Sequence, residues 1–173
     1  MTQKMPFPAA TCVIQGANLL RLALYQPDIR QNAGSLMRLC ACLGVAMDIV
    51  EPCGFLLSDR NFRRAGLDYR GELTRHESWE AFSSHRSGRL VLLSTKAAQP
   101  YTGFAFAPGD TILVGRESAG VPEAVHGAAD VRLLIPMKAG MRSINVAQAA
   151  AMVLGEALRQ TELFPAQEAI CSN

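Results

Sequence analysis

Three short segments of this 173-residue sequence place polar side chains beside runs that read as strand ends. In Asn32-Ala33-Gly34-Ser35-Leu36-Met37-Arg38, Asn32 and Ser35 stand at the start of a helical pattern, and Arg38 lies opposite its apolar stripe. Asparagine can accept from open amides at a helix start, and the arginine fork suits phosphate. In Leu113-Val114-Gly115-Arg116-Glu117-Ser118-Ala119-Gly120-Val121-Pro122, a strand runs into two glycines that bracket an acid. The third segment is Leu134-Ile135-Pro136-Met137, followed by Met141-Arg142-Ser143-Ile144-Asn145 at the head of a long helix. Open α/β sheets place their ligand sites at strand ends, where these segments fall.

More familiar signatures are missing. Pro27–Gly34 follows the first strand without the G-x-G-x-x-G of dinucleotide folds, and Gly115–Gly120 lacks the Lys-Ser/Thr of a phosphate loop. Ser118 has arginine two residues before it, where a nucleophile elbow needs glycine. His76, His85 and His126 are scattered without a carboxylate at telling spacing, and read as surface residues.

The elements that must position these segments follow from periodicity. Leu20–Tyr25, Ala46–Val50, Leu90–Leu93, Ile112–Val114 and Val131–Ile135 are strand-like, and the near-continuous apolar runs suit strands buried on both faces. Leu36, Leu39, Cys40 and Leu43 share one helical face ending near Gly44. Shorter helices are expected at Ser58–Arg64, after Ser78, and at Pro122–His126. Asn145–Gln160 carries Val146, Ala149, Ala150, Val153, Leu154, Ala157 and Leu158 on one stripe, with Ala147, Ala151 and Met152 beyond it. A helix apolar over most of its circumference is buried on more than one side. It either sinks into its own core or meets a second subunit, with Met152 and Leu154 expected at the contact. The class is α/β, with a mainly parallel sheet flanked by helices. One domain is expected over residues 19–164, after a loosely ordered extension at 1–18 and before a tail at 165–173.

Taken together, the three segments resemble the motifs of the SPOUT (α/β-knot) methyltransferase superfamily. The nearest resemblance is to the family that methylates the wobble nucleotide of tRNA, cytidine or uridine, at its 2′-oxygen. The echoes are N-x-G-x-x-x-R, G-x-E-x-x-G-x-P, and I-P-M followed by R-S-x-N. Ile49-Val50-Glu51-Pro52-x-Gly54-Phe55 and Arg63-Arg64-Ala65-Gly66-Leu67-Asp68-Tyr69 are also similar to that family. The likeness runs from about Leu20 to Phe164. Ala147 and Gly155 depart from it, standing where a serine or other polar residue and an aromatic are common.

The resemblance implies a C-terminal trefoil knot, which general folding rules would not predict. It implies S-adenosylmethionine as cofactor, held by Leu93, Thr95, Gly115, Glu117, Ile135, Met137 and Ser143. A residue without Cβ at position 115 would let backbone approach the adenosine. It also implies Arg38, Asn32, Ser143 and Asn145 as the catalytic set. Arginine keeps its proton in proteins, so Arg38 suits gripping a phosphate and stabilising an alkoxide better than acting as base. Asn32, Asn145 and Ser143 can equally be helix caps. Glu117 can pair with an arginine to hold its loop. Because the sulfonium is already an activated leaving group, no metal is expected.

Composition fits this reading without demanding it. Half the residues are hydrophobic (49%), 18% are charged, and the net charge is only +2. Of 17 basic residues, all but Lys4, Lys96 and Lys138 are arginine, a bias that serves phosphate or reflects GC-rich coding. Arg60, Arg63 and Arg64 lie in a stretch to Arg75 with five arginines, either a strip for the tRNA anticodon stem-loop or a solvated face. The five cysteines lack ligand spacing and read as free thiols of a cytoplasmic protein. No run reaches the ~18 apolar residues of a membrane span. A methylase for another tRNA or rRNA nucleotide, a non-catalytic RNA-binding module, and a Rossmann oxidoreductase are the competing readings.

Overall fold

The computed structural model describes residues 19–56 and 72–166. The extension at 1–18, most of the tail, the expected helix at Ser58–Arg64 and the arginines 60, 63 and 64 lie outside the described residues.

Seven strands are β1 (Arg21–Tyr25), β2 (Ala46–Val50), β3 (Leu73–His76), β4 (Leu90–Leu93), β5 (Gln99–Pro100), β6 (Thr111–Val114) and β7 (Val131–Leu134). They form one sheet in the order β3-β2-β1-β6-β4-β7-β5, and every pair is parallel. Among the described residues four α-helices accompany it: α1 (Arg30–Leu43), α2 (Trp79–His85), α3 (Glu123–Ala128) and α4 (Val146–Thr161). The α/β class with a parallel sheet is therefore as the periodicity predicts.

Alternation along the strands divides the core in two. Leu22, Leu24, Met47, Ile49, Ile112 and Val114 point to the face covered by α1 and α4. Ala23, Tyr25, Val50, Leu90, Leu92 and Leu113 point to the face covered by Phe82 of α2 and Val125 of α3. Both faces are dry, so the central strands tolerate few polar side chains. Asp48 of β2 is one, only 2% exposed. Its carboxylate accepts from Arg21 at 2.7 and 3.0 Å and lies 2.8 Å from His76 Nε2, which satisfies a buried charge that would otherwise be costly.

Helix ends follow local chemistry. Gly44 closes α1 in the left-handed conformation (φ 65°), where glycine pays no Cβ penalty. Ser78 caps α2 by accepting from Ala81 N at 3.2 Å. Asn145 caps α4, its Oδ1 accepting from Ala147 N at 2.9 Å and Gln148 N at 3.4 Å. Asn145 is thus the cap and not the first helical residue, and Pro122 likewise precedes α3. Cys40 and Cys42 diverge as a two-residue helical step requires. Cys40 is buried, which pushes its thiol up to about 12, and Cys42 is exposed.

Several expectations need correction. Edge strands β3 and β5 were not expected, because Leu-Thr-Arg-His and Gln-Pro carry little apolar signal. His76 is buried between Asp48 and the Phe82 ring rather than lying on the surface. Arg75, the last arginine of the 60–75 stretch, is half exposed and pairs with Glu51 at 2.7 Å, which neither alternative for that stretch foresaw. Leu154 is fully buried in the chain's own core, so it is not available to a second subunit. Met152, at 45% exposure, is the apolar residue α4 leaves outward.

Candidate functional site

The register of the sheet brings the three sequence segments together. Val114 of β6 sits between Leu24 of β1 and Leu93 of β4, and Leu93 pairs with Leu133 of β7. The loops leaving β1, β4, β6 and β7 therefore emerge side by side, at the place where strand order reverses. Between them lies a cavity of about 400 Å³. All seven residues expected to hold a cofactor line it: Leu93, Thr95, Gly115, Glu117, Ile135, Met137 and Ser143. Asn32 and Asn145 line it too.

Its tightest wall is the loop after β6. Arg116 and Gly120 exchange two backbone hydrogen bonds, at 2.9 and 2.8 Å, and Gly120 takes φ 67° to close the turn. Gly115 passes so near that a Cβ there would lie 2.6 Å from the Gly120 carbonyl carbon. No side chain fits at that position, so backbone itself forms the wall.

A chain of polar contacts ties this wall to two helix starts. The Glu117 carboxylate accepts from Asp28 N at 2.8 Å and from Asn32 Nδ2 at 3.0 Å. Asn32 Oδ1 in turn accepts from Asn145 Nδ2 at 3.1 Å. Every side-chain oxygen and nitrogen in this relay has a partner. Amides, and not the expected arginine, hold Glu117. Its negative charge also sits at the positive end of α1, whose cap residue, Ile29, has no side-chain acceptor of its own. Ser143 does not cap α4, and its place is on the cavity lining.

The arginine of the loop goes elsewhere. Arg116 donates to Asp28 Oδ1 at 2.8 Å from Nη2 and 3.2 Å from Nε, and Ser118 donates to Asp28 Oδ2 from its amide and its hydroxyl. The Arg116 guanidinium and the Ser118 donors hold the Asp28 carboxyl down at about 2. Asp28 was not singled out by sequence reasoning. An acid at a helix start is a signal, but its partners are 88 and 90 residues away. His126, Lys96 and Ile29 are further lining residues that spacing did not reveal.

Arg38 stands apart. It is exposed on α1, six residues and roughly 9 Å of helix rise beyond Asn32, and is not part of the cavity lining. Among the described residues no cluster of His, Cys, Asp and Glu is arranged to hold a metal ion, and no helix is long and apolar enough to cross a membrane.

A cavity of this size, apolar along Leu93, Leu133 and Ile135 and polar where Asn32, Glu117 and Ser143 meet it, suits a nucleoside-sized ligand. Comparison with known proteins agrees. The chain is 65% identical over 144 residues to the tRNA (cytidine(34)-2'-O)-methyltransferase of Beijerinckia indica, covering 80% of this chain and 90% of that one. It superposes with a TM-score of 0.77 and 40% identity on a structure solved to explain 2-OH methylation of C/U34 on tRNA, covering 84% of this chain and 97% of the other. The SpoU methyltransferase AviRb of Streptomyces viridochromogenes, solved with AdoMet, shares the fold at a TM-score of 0.71 and 23% identity, over 91% of this chain and 63% of AviRb. The SpoU rRNA Methylase family model matches residues 19–155. Residues, fold and relatives converge, and the chain belongs to the SpoU methylase family.

Proposed function

We propose that this chain transfers a methyl group from S-adenosylmethionine to the ribose 2′-hydroxyl of the wobble nucleotide, position 34, of tRNA, with cytidine or uridine as the base. One observation carries the reading: the seven residues expected to hold the cofactor, drawn from three distant segments, line a single cavity. The 65% identical relative supports the choice of nucleotide. The glycine at 115 is required by the loop's own closure on Gly120, which leaves backbone of this loop on the cavity lining.

When bound, S-adenosylmethionine supplies an activated methyl group on a sulfonium. The protein's work is alignment and electrostatics. Leu93, Ile135 and Met137 give the cavity apolar lining, and Thr95, Glu117 and Ser143 give it polar groups. Fixing reactants in line is worth roughly 7–11 kcal/mol of barrier. Asn32 and Asn145, locked to each other, hold the start of α1 against the start of α4 and so fix where a ribose can enter. Arg38, a permanent cation exposed on α1 outside the cavity lining, grips a phosphate of the tRNA and stabilises the negative charge that develops on the ribose oxygen. Arg60, Arg63 and Arg64 extend the grip along the anticodon stem-loop, with the steep salt dependence of phosphate contacts.

The wider architecture of the proposal is a homodimer joined through α4, in the cytoplasm, with the domain spanning residues 19–164. Met152 exposed on α4 supports the dimer. The C-terminal segment is threaded as a trefoil knot, supported by the insertion of β6 between β1 and β4 and of β7 between β4 and β5.

The test is a product map. Purified protein is incubated with cofactor and a set of tRNA transcripts, and nucleoside and fragment mass spectrometry locates the new methyl group. A 2′-O-methyl group at position 34 is expected. A product at any other nucleotide, or none from any transcript, overturns the assignment.

A further inference from the structure

The wall loop 115–120 reaches the connection after β1 through three side chains, Arg116, Glu117 and Ser118. Glu117 reaches Asn32 and the Asp28 amide, while Arg116 and Ser118 converge on the Asp28 carboxylate. The Asp28 end is the rigid one. Pro27 O accepts from Gly54 N at 2.9 Å, and Gly54 packs so closely that its Cβ would lie 3.0 Å from Asp28 Cα and O. The β2 end therefore buttresses the Pro27–Asp28 backbone from behind. The loop is the partner that can move. Gly115 and Gly120 give it little side-chain packing, and Ser118 is exposed.

We propose that Asp28 is a positioning residue of the methyl-transfer site, holding the 115–120 wall at the distance cofactor binding requires through Arg116 and Ser118. This rests on the reading of the cavity as a cofactor site. Asp28 itself does not line the cavity, so its effect passes through the loop that does. The geometry explains why a carboxylate is used. Its two oxygens receive four donors, two from Arg116 on Oδ1 and two from Ser118 on Oδ2, which fixes orientation as well as distance. A carboxyl held near 2 keeps that fork charged throughout the pH range of normal enzyme work.

Calorimetric titration of the full chain with S-adenosylmethionine tests this. Asp28→Ala should weaken cofactor binding about tenfold or more, and raise the cofactor KM with kcat changed much less, because the wall shifts while the reacting groups do not. Asp28→Asn, which keeps one acceptor oxygen for Ser118 but turns an amide NH2 toward Arg116 in place of a charged oxygen, should fall between. Ser118→Ala removes the hydroxyl donor and leaves the amide bond to Asp28, at an exposed residue that does not line the cavity, and should weaken binding several-fold without loss of fold. A merely structural role would lower the melting temperature and leave the dissociation constant of folded protein unchanged. Binding by Asp28→Ala and Ser118→Ala within twofold of the parent overturns the inference and leaves the proposed function standing. Failure of the parent protein to bind at millimolar cofactor overturns both.

Discussion

Replacing Gly115 by alanine puts the close approach at the cavity wall to a direct test. Gly115 does not occupy a left-handed conformation, so alanine costs nothing in φ and the whole effect is steric. The new Cβ would lie 2.6 Å from the Gly120 carbonyl carbon and 2.9 Å from its Cα and oxygen, all backbone atoms that no rotamer change can move aside. Ordinary contact begins at 3.4 Å, so the two strands of the loop must part by about 0.8 Å. A parting of that size along the paired Arg116–Gly120 bonds, now 2.9 and 2.8 Å, would carry them beyond hydrogen-bonding distance. Overpacking of this kind costs about 1–3 kcal/mol, which corresponds to a melting temperature lower by roughly 2–12 °C. A displacement near 1 Å at a binding wall costs on the order of 100-fold in kcat/KM. Calorimetry with cofactor, methyl-transfer kinetics and differential scanning calorimetry measure the three quantities. Gly127→Ala in α3 is the control, because nothing lies within 4 Å of its Cβ and alanine favours helix by roughly 1 kcal/mol. If Gly115→Ala binds cofactor as tightly as the parent and melts at the same temperature, the close approach does not shape the site.

The helix α4 yields a pair of opposed expectations. Leu154→Ala should destabilise the fold by about 2–5 kcal/mol in chemical denaturation, since the side chain is fully buried. Met152→Lys should leave the protomer folded and shift the mass seen by light scattering from dimer to monomer; an unchanged monomeric mass for both proteins would remove the dimer proposal. Acid titration isolates Asp28. Its carboxyl ionises near 2 in the fold and near 3.8 otherwise, so its stabilisation is present above about 4 and is lost as pH falls through 2. The stability gap between the parent and Asp28→Asn should therefore be constant above pH 4 and shrink below it; a gap that widens in acid contradicts the ion pair. Arg38→Ala should cut methyl transfer about 100-fold or more while cofactor affinity stays within twofold, and a fully active variant refutes its role.

Much of this protein can be read along the chain. The near-continuous apolar runs at 90–93 and 112–114 suit strands covered on both sides, and the structure has strands at Leu90–Leu93 and Thr111–Val114. The Leu36 to Leu43 stripe, Gly44 and the Ser78 cap are local signals with local causes, and each is found where periodicity puts it. The polar motifs also declared themselves, because glycine beside an acid, or asparagine before a long apolar helix, has a physical use that few other contexts share.

What tertiary structure decided is everything that depends on register between distant segments. That Asp28 would receive Arg116 and Ser118, or that Glu117 would hold Asn32 in place of an arginine, follows from β6 lying beside β1. No spacing rule carries across more than eighty residues. The burial of His76 could not be read either, since its partner Asp48 looks locally like an acid in a strand that should be dry. The apolar surplus of α4 was visible in sequence, but only packing against α1 and the sheet could separate Leu154, which the core consumes, from Met152, which it leaves outside. Periodicity counts how much apolar surface a helix has. Which neighbours cover it is set by the sheet, and so is the geometry of the site.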